Sequence, residues 1–91
     1  MYTLTGELTQ QNAATVVAAG LAALAAGQTE FDLSGLDKVD SSAVATLLAW
    51  QREAVSQQKT LNFHAIPASL VSLISLYGLN TQFPSAASGR H

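Results

Sequence analysis

The chain alternates short runs of period-two residues with longer segments of helical period, and the period-two runs predict three strands. In Tyr2–Leu8, Thr and Glu alternate with Tyr, Leu and Gly, a pattern typical of a strand. Glu30–Leu33 is predicted to be a short second strand, followed by a loop over residues 34–39. Thr60–Ala65 is predicted to be the third strand, with His64 on its outward face.

Hydrophobic residues that recur every three or four positions predict three helices, over residues 10–26, 42–57 and 68–77. Thr9 is expected to cap the first helix and Gly27 to end it. The helix residues expected to face the core are Ala13, Val16, Val17, Leu21, Leu24, Val44, Leu47, Leu48, Ala54, Val55, Leu70, Val71, Leu73, Ile74 and Leu76.

Trp50 falls off the apolar stripe of the second helix, and two interpretations of it stay open. A half-exposed Trp50 would suit the centre of a protein interface, where Trp is enriched. Alternatively, the ring covers the edge of the core beside Leu47, because large aromatic side chains are seldom fully buried.

Strands and helices in alternation predict an α/β domain with a mainly parallel sheet and right-handed crossover helices. A chain of 91 residues has room for one domain. We place it over residues 1–84, with a flexible tail over Ser85–His91. Leu79–Phe83 is expected to form a last short strand or an extended segment.

Composition narrows the functional class. Hydrophobic residues make up 48% of the chain and charged residues 11%, which excludes a disordered protein and leaves a weakly polar surface for a partner to cover. A net charge of −2 with scattered Lys and Arg argues against nucleic-acid binding.

The absence of cysteine excludes disulfides and thiolate chemistry and fits a reducing cytoplasm. No segment has the ~20 apolar residues that span a bilayer, so membrane association is expected only through a partner.

An enzyme is the main rival interpretation, and the residues do not favour it. A serine nucleophile needs a base and an orienting group beside it, and His64 is the sole internal histidine. The six glycines are isolated rather than grouped in a phosphate-binding loop. Asp32, Asp37 and Asp40 lack the spacing and the distal Glu of a calcium loop. We therefore predict no catalytic residue, no metal site and no cofactor.

The most informative segment is Asp40-Ser41-Ser42, where the second helix is predicted to begin. Backbone N–H groups in the first turn of a helix lack partners and carry partial positive charge, so Asp40 or Ser41 is expected to cap them. Phosphorylation of a hydroxyl in that turn would add negative charge beside Asp40 and Asp37 and repel a partner packed there. A hydroxyl in that turn is therefore a candidate for phosphorylation.

Three motifs resemble the STAS domain family, which is named for sulfate transporters and anti-sigma factor antagonists. Asp32-Leu33-Ser34, followed after a loop by Val39-Asp40-Ser41-Ser42-Ala43, is similar to the family's strand end and helix start. Leu4-Thr5-Gly6-Glu7-Leu8 is similar to a further strand motif of the family, and Leu76-Tyr77-Gly78-Leu79 to its C-terminal element. Ala43 stands where the family often has Gly, and the N-terminal strand region is expected to be shortened relative to the family.

The resemblance implies a STAS fold and a non-catalytic protein that binds and regulates a partner. The chain is most similar to the MlaB-type branch, subunits of the bacterial phospholipid ABC transporter that maintains outer-membrane lipid asymmetry. That branch implies a cytoplasmic protein held at the inner membrane through the transporter's ATPase. The alternative is an anti-sigma factor antagonist, whose partner is an anti-sigma factor kinase and which phosphorylation of Ser41 switches off. The residues expected to contact the partner are Asp40, Ser41, Ser42, Val44 and Thr46.

Overall fold

The computed structural model describes residues 1–79 and 83, and it contains three strands and three helices in alternation. In chain order they are β1 (Tyr2–Leu8), α1 (Ala13–Ala25), β2 (Glu30–Val39), α2 (Ser41–Ser56), β3 (Asn62–His64) and α3 (Ala68–Leu76). The predicted alternation is therefore confirmed. Residues 80–82 of the predicted last strand, and the predicted tail over 85–91, lie outside the described residues.

The three strands form one parallel sheet in the order β1-β2-β3. When parallel strands follow chain order, right-handed crossovers place the connecting helices on the same face of the sheet. On the opposite face the side chains are polar and at least partly exposed: Thr3, Thr5, Glu30, Asp32, Asn62 and His64. The predicted α/β class, the parallel sheet and the outward position of His64 are confirmed.

β2 is ten residues long, which corrects the predicted loop over residues 34–39. This segment instead continues to pair with β1 up to the ends of both strands, and two register shifts along the pair mark irregularities in the ladder. Gly35 permits the close approach, because a Cβ at this position would lie 2.7 Å from the carbonyl oxygen of Leu4. The Ser-Gly pair that suggests a turn in the sequence is therefore part of an irregular strand.

α1 begins at Ala13 rather than at Gln10, so the predicted Thr9 cap is wrong. The Asn12 N–H donates to the Thr9 carbonyl oxygen and the Thr9 N–H donates to Asn12 Oδ1, both at 3.0 Å. These two bonds close a turn between β1 and α1. The Thr9 carbonyl oxygen accepts from Asn12, three residues on, and not from Ala13, as it would in an α-helix that began at Gln10. We call residues 9–12 the β1–α1 turn.

Aromatic rings form the centre of the core between the helices and the sheet. The Phe31 ring packs edge-on against Trp50 and Phe63, with ring centroids 5.1 Å and 6.1 Å away. Phe83 is buried against Phe63, with centroids 5.9 Å apart. The remaining buried hydrophobic residues are Leu4, Leu8, Leu24, Leu33, Leu36, Ala43, Val44, Leu47, Ala54, Leu61, Leu70 and Ile74.

Trp50 is fully buried, which decides between its two interpretations in favour of the core and shows that the half-exposed position is wrong. Its Nε1–H donates to the carbonyl oxygen of Val17 in α1, at 3.1 Å. A Cβ on Gly20 would lie 2.2 Å from two atoms of the indole. The absence of a side chain at Gly20 is therefore what lets α1 and α2 approach each other with the indole between them.

Two positions expected in the core are wrong. Val55 and Leu76 fall on the apolar stripes of α2 and α3 by spacing, yet they are 71% and 75% exposed. Val55 lies on the outward side of α2, whereas its neighbour Ala54 is buried, and Leu76 is the last residue of α3.

We expect Gly20→Ala to lower the free energy of unfolding by about 1–2 kcal/mol. The new methyl group would overlap the Trp50 indole, and overpacking of this kind costs roughly 1–3 kcal/mol, of which the better helix propensity of Ala recovers about 1 kcal/mol at most. Chemical denaturation followed by circular dichroism measures the change.

The control for this prediction is the same substitution in a Trp50→Phe background. Phe lacks the indole atoms that Gly20 faces, so Gly20→Ala should cost clearly less there or even stabilise the domain. An equal cost in both backgrounds would show that the contact between Gly20 and the indole does not limit the packing of α1 on α2.

Candidate functional site

The predicted site lies at the carboxyl end of the sheet, where β1 and β2 both finish. Leu8 and Val39, the last residues of the two strands, are paired. β1 continues into the β1–α1 turn, whereas β2 is followed by Asp40 and then at once by α2, which begins at Ser41. The turn and the start of α2 are therefore neighbours in space although about 30 residues separate them in the chain.

Asp40 joins these two segments through its carboxylate. Its backbone is extended, with φ −138° and ψ −168°, as is usual for the residue that precedes a helix. Oδ1 accepts the Ser42 N–H at 2.8 Å, and Oδ2 accepts the Gln10 N–H at 3.1 Å. Of the two predicted caps, Asp40 and Ser41, Asp40 is the one that caps the second helix, and the same side chain also holds the β1–α1 turn.

These bonds favour the ionised form of Asp40. The Gln10 N–H lowers the pKa of the carboxyl group most, and the Ser42 N–H and hydroxyl and the charge of Lys38 lower the pKa further. The carboxylate is consequently negative at neutral pH, when it interacts best with the partial positive charge at the start of α2.

Ser41 and Ser42 differ in how far they reach the surface. Ser41 is the first residue of α2 and is exposed, whereas Ser42 is half-buried. The hydroxyl that the resemblance marks as the partner contact is thus on the surface, in the turn where backbone N–H groups point out of the helix.

Val44 and Thr46 do not belong to this surface, which corrects their assignment as partner contacts. Their side chains are only 4% and 2% exposed, because α2 turns this side toward the core. The Thr46 hydroxyl donates to the Ser42 carbonyl oxygen at 2.8 Å, so its polar group is satisfied inside the domain. A partner that docks on the folded domain does not reach either side chain.

The outward side of α2 offers a different set of residues. Spacings of four, three, four and three residues place them in one line along the helix, and each is exposed or half-buried. We call this set the α2 outer stripe: Ser41, Ala45, Leu48, Arg52 and Val55. Its second half borders a groove of about 370 Å³ formed by Leu48, Gln51, Arg52, Val55 and Leu79.

The sequence analysis missed Gln10, whose N–H reaches Asp40. The sequence nevertheless contained a signal for this contact. Neighbouring parallel strands finish at the same end of a sheet, so the segments that follow them lie side by side. Identifying the particular N–H group required the position at which β1 ends and the turn begins.

His64 pairs with Glu30 on the polar face of the sheet, where both side chains are roughly half exposed. The interaction with His64 and a hydrogen bond from Asn62 lower the pKa of Glu30. Within residues 1–79 and 83, no three His, Asp or Glu side chains are grouped so as to hold a metal ion. In the same part of the chain, no helix has the length and apolar character to cross a membrane.

We expect the stability difference between the protein and its Asp40→Asn variant to depend on pH. The pKa of Asp40 is lower in the folded state, so its stabilisation is fully present above the unfolded pKa of about 3.9 and is lost as pH falls through the folded pKa. The protein should therefore be more stable than the variant at pH 7, and the difference should vanish at acidic pH. Thermal melts across this range measure it.

Asp37→Asn, at an exposed position three residues earlier, removes the same charge and serves as the control. A difference for Asp40→Asn that stays constant from neutral to acidic pH would contradict the assignment of its carboxylate as the acceptor that links α2 to the β1–α1 turn.

Comparison with known families covers the strands, the helices and the site together. The sequence model described as "Mlab, STAS domain" matches residues 2–84. No individual curated protein matches the chain. The match spans all six elements, and the small parallel sheet with three helices is consistent with a STAS fold. The chain therefore belongs to the STAS domain family.

Proposed function

We propose that this protein is a non-catalytic subunit that binds and regulates the ATPase of an ABC-type phospholipid transport system, one that maintains the lipid asymmetry of the outer membrane. The observation that carries the proposal is the exposed Ser41 hydroxyl at the start of α2 in a chain matched by the Mlab description of the STAS family. STAS domains are generally not enzymes, which is consistent with a binding role.

The chemistry of the α2 outer stripe suits a protein partner. It begins with a hydroxyl at Ser41, continues over the small Ala45 and the apolar Leu48, and ends with Arg52 and Val55. Protein interfaces commonly combine an apolar centre with polar groups at the rim, and Arg is enriched in them. The ATPase is therefore expected to lie along α2 with Ser41 near one end of the contact.

Asp40 prepares this surface for binding. Its two hydrogen bonds hold the first turn of α2 against the β1–α1 turn before any partner arrives. A surface that is already ordered loses less conformational entropy when it binds. We infer that Asp40 contributes to affinity by positioning Ser41, while Ser41 makes the contact.

The proposed partner also determines where the protein would act. An ABC transporter ATPase lies on the cytoplasmic side of the inner membrane, so binding to it would hold the domain there. Contact with the membrane would then be indirect, through the transporter.

A second function is favoured by one feature, the exposed hydroxyl of Ser41 next to an ionised carboxylate. Phosphorylation would add about −1.5 to −2 charge at this point. The phosphate would meet the positive end of α2, so the fold could tolerate it, while a partner packed on the turn would be repelled. This is how an anti-sigma factor antagonist switched by a kinase would work.

We expect Ser41→Glu to prevent the domain from co-purifying with the ATPase subunit of a phospholipid ABC transporter from the same organism. The longer, charged side chain would occupy the contact surface, whereas the circular dichroism spectrum should not change because Ser41 is exposed. The measurement is a pull-down from cells that express both proteins.

Ser69→Glu is a matched control, because Ser69 is also exposed and lies in the first turn of another helix, α3. This variant should co-purify as the unchanged protein does. Failure of the unchanged domain to bind a folded ATPase would refute the proposed function, and equal loss with both variants would refute the position of the contact.

The two candidate functions differ in a direct assay. If the domain is an anti-sigma factor antagonist, incubation with a kinase encoded nearby and ATP should add one phosphoryl group, which mass spectrometry detects on the intact chain. Ser41→Ala should abolish the addition, and Ser42→Ala should not, because Ser42 is half-buried. Under the transporter function, we expect the unchanged chain to keep its mass.

A further inference from the structure

The free edge of β1 is the feature from which we draw a further inference. Within the described residues, β1 pairs with β2 alone, so its other edge has no neighbouring strand. Edge strands are usually protected by Pro, by Lys or by inward charges, since their unpaired N–H and C=O groups invite another strand. β1 has none of these devices before Glu7.

The orientation of the backbone shows which groups are available at this edge. The Leu4 carbonyl oxygen lies 2.7 Å from the place of a Cβ on Gly35, so it points toward β2. Because the N–H and C=O groups of successive strand residues alternate in direction, those of Thr3 and Thr5 point toward the free edge. The Thr3 and Thr5 side chains are exposed as well.

A groove runs beside this edge, between β1 and α1. Its volume is about 230 Å³, below the roughly 300 Å³ at which pockets for small ligands begin. Its size therefore suits single side chains of a neighbouring polypeptide. The residues that line it are Tyr2, Thr3, Leu4, Thr5, Glu7, Thr15, Val16, Ala19 and Leu36.

The surface around the groove carries almost no charge. Glu7 is the one charged residue of the lining, and the whole segment from Leu8 to Thr29, which contains α1, has no Asp, Glu, Lys or Arg. The exposed side of a surface helix is ordinarily charged or polar. Two copies of this surface would therefore meet without electrostatic repulsion.

We propose that the occupant of this edge is a second copy of the chain, with the two β1 strands antiparallel about a two-fold axis at Leu4. In this register Thr3 of each copy lies opposite Thr5 of the other. Both residues direct their backbone groups to the edge, so the two Thr pairs supply four interchain hydrogen bonds. Leu4 lies opposite its own counterpart, as the non-hydrogen-bonded pair.

The sequence of β1 fits a copy of itself better than an unrelated peptide. Thr3-Leu4-Thr5 reads the same in both directions, so in an antiparallel pair each Thr lies opposite a Thr of the other copy. Opposed Thr residues are favourable cross-strand pairs. The two Glu7 residues are six positions apart along the strands, or about 20 Å, so they do not repel each other.

The proposed dimer extends the sheet from three strands to six and leaves the start of α2 open. A two-fold axis perpendicular to the sheet reverses the strand direction, so the two Asp40-Ser41-Ser42 segments lie at opposite ends of the assembly. The inference does not rest on the proposed function, because the β1 edge and the α2 outer stripe share no residue. Each copy would remain able to bind its own partner.

Sedimentation equilibrium of the purified chain, with two double variants, tests this proposal. Thr3→Lys/Thr5→Lys places like charges opposite each other across the axis, whereas Thr3→Lys/Thr5→Glu places opposite charges there. We expect a dimer for the unchanged chain and for Thr3→Lys/Thr5→Glu. The dissociation constant of Thr3→Lys/Thr5→Lys should be higher than that of Thr3→Lys/Thr5→Glu by about tenfold or more.

Ser72→Lys, which adds a charge at an exposed position of α3, should leave the dimer unchanged, and circular dichroism confirms that every variant is folded. A monomer at all concentrations of the unchanged chain would overturn the proposal. Equal dissociation constants for the two double variants would overturn the antiparallel register. A monomer that retains a peptide of another protein on β1 would show that the occupant is not a second copy.

Discussion

The packing of the Trp50 indole against Gly20 is the contact on which the arrangement of the domain depends. The ring lies between α1 and α2, donates a hydrogen bond to the Val17 carbonyl oxygen and contacts the Phe31 ring of β2. One side chain thus sets the distance between both crossover helices and the central strand. Gly20 and Leu24 are the buried residues of α1, and Gly20 is the one that lies against the indole.

The candidate site lies at the start of α2, a helix that Trp50 packs on the core. The hydrogen bonds of the site itself involve neither Trp50 nor Gly20. Asp40 lies beyond the end of β2, and its carboxylate links α2 to the β1–α1 turn through backbone N–H groups. The core thereby fixes the direction of α2, while Asp40 fixes its first turn. Ser41 is exposed, so its hydroxyl is on the surface, where a partner or a modifying enzyme can reach it.

The order of the strands has consequences on both sides of the sheet. A sheet whose three parallel strands follow chain order places its helices on one face, and the other face is polar, with His64 and Glu30 paired on it. Within the described residues, the same order makes β1 an edge strand, and Glu7 is the one charged residue of the groove beside it. The edge of β1 and the outer side of α2 are therefore two separate surfaces, and each carries few charged residues.

The sequence by itself determined the order of the elements, the parallel class of the sheet and a helix cap at Asp40 or Ser41, because these follow from local periodicity and from the chemistry of helix starts. The structure decided that Asp40 is the cap. The sequence left Trp50 open between the core and an interface, and it misplaced Val55 and Thr46, since helical spacing shows which residues share a side but not how wide the covered side is. The Ser34-Gly35 pair was misread for a related reason, because only pairing with β1 distinguishes an irregular strand from a turn. The contact between Gln10 and Asp40 likewise exists only in the folded chain. There β1 and β2 finish at the same end of the sheet and bring the β1–α1 turn beside the start of α2.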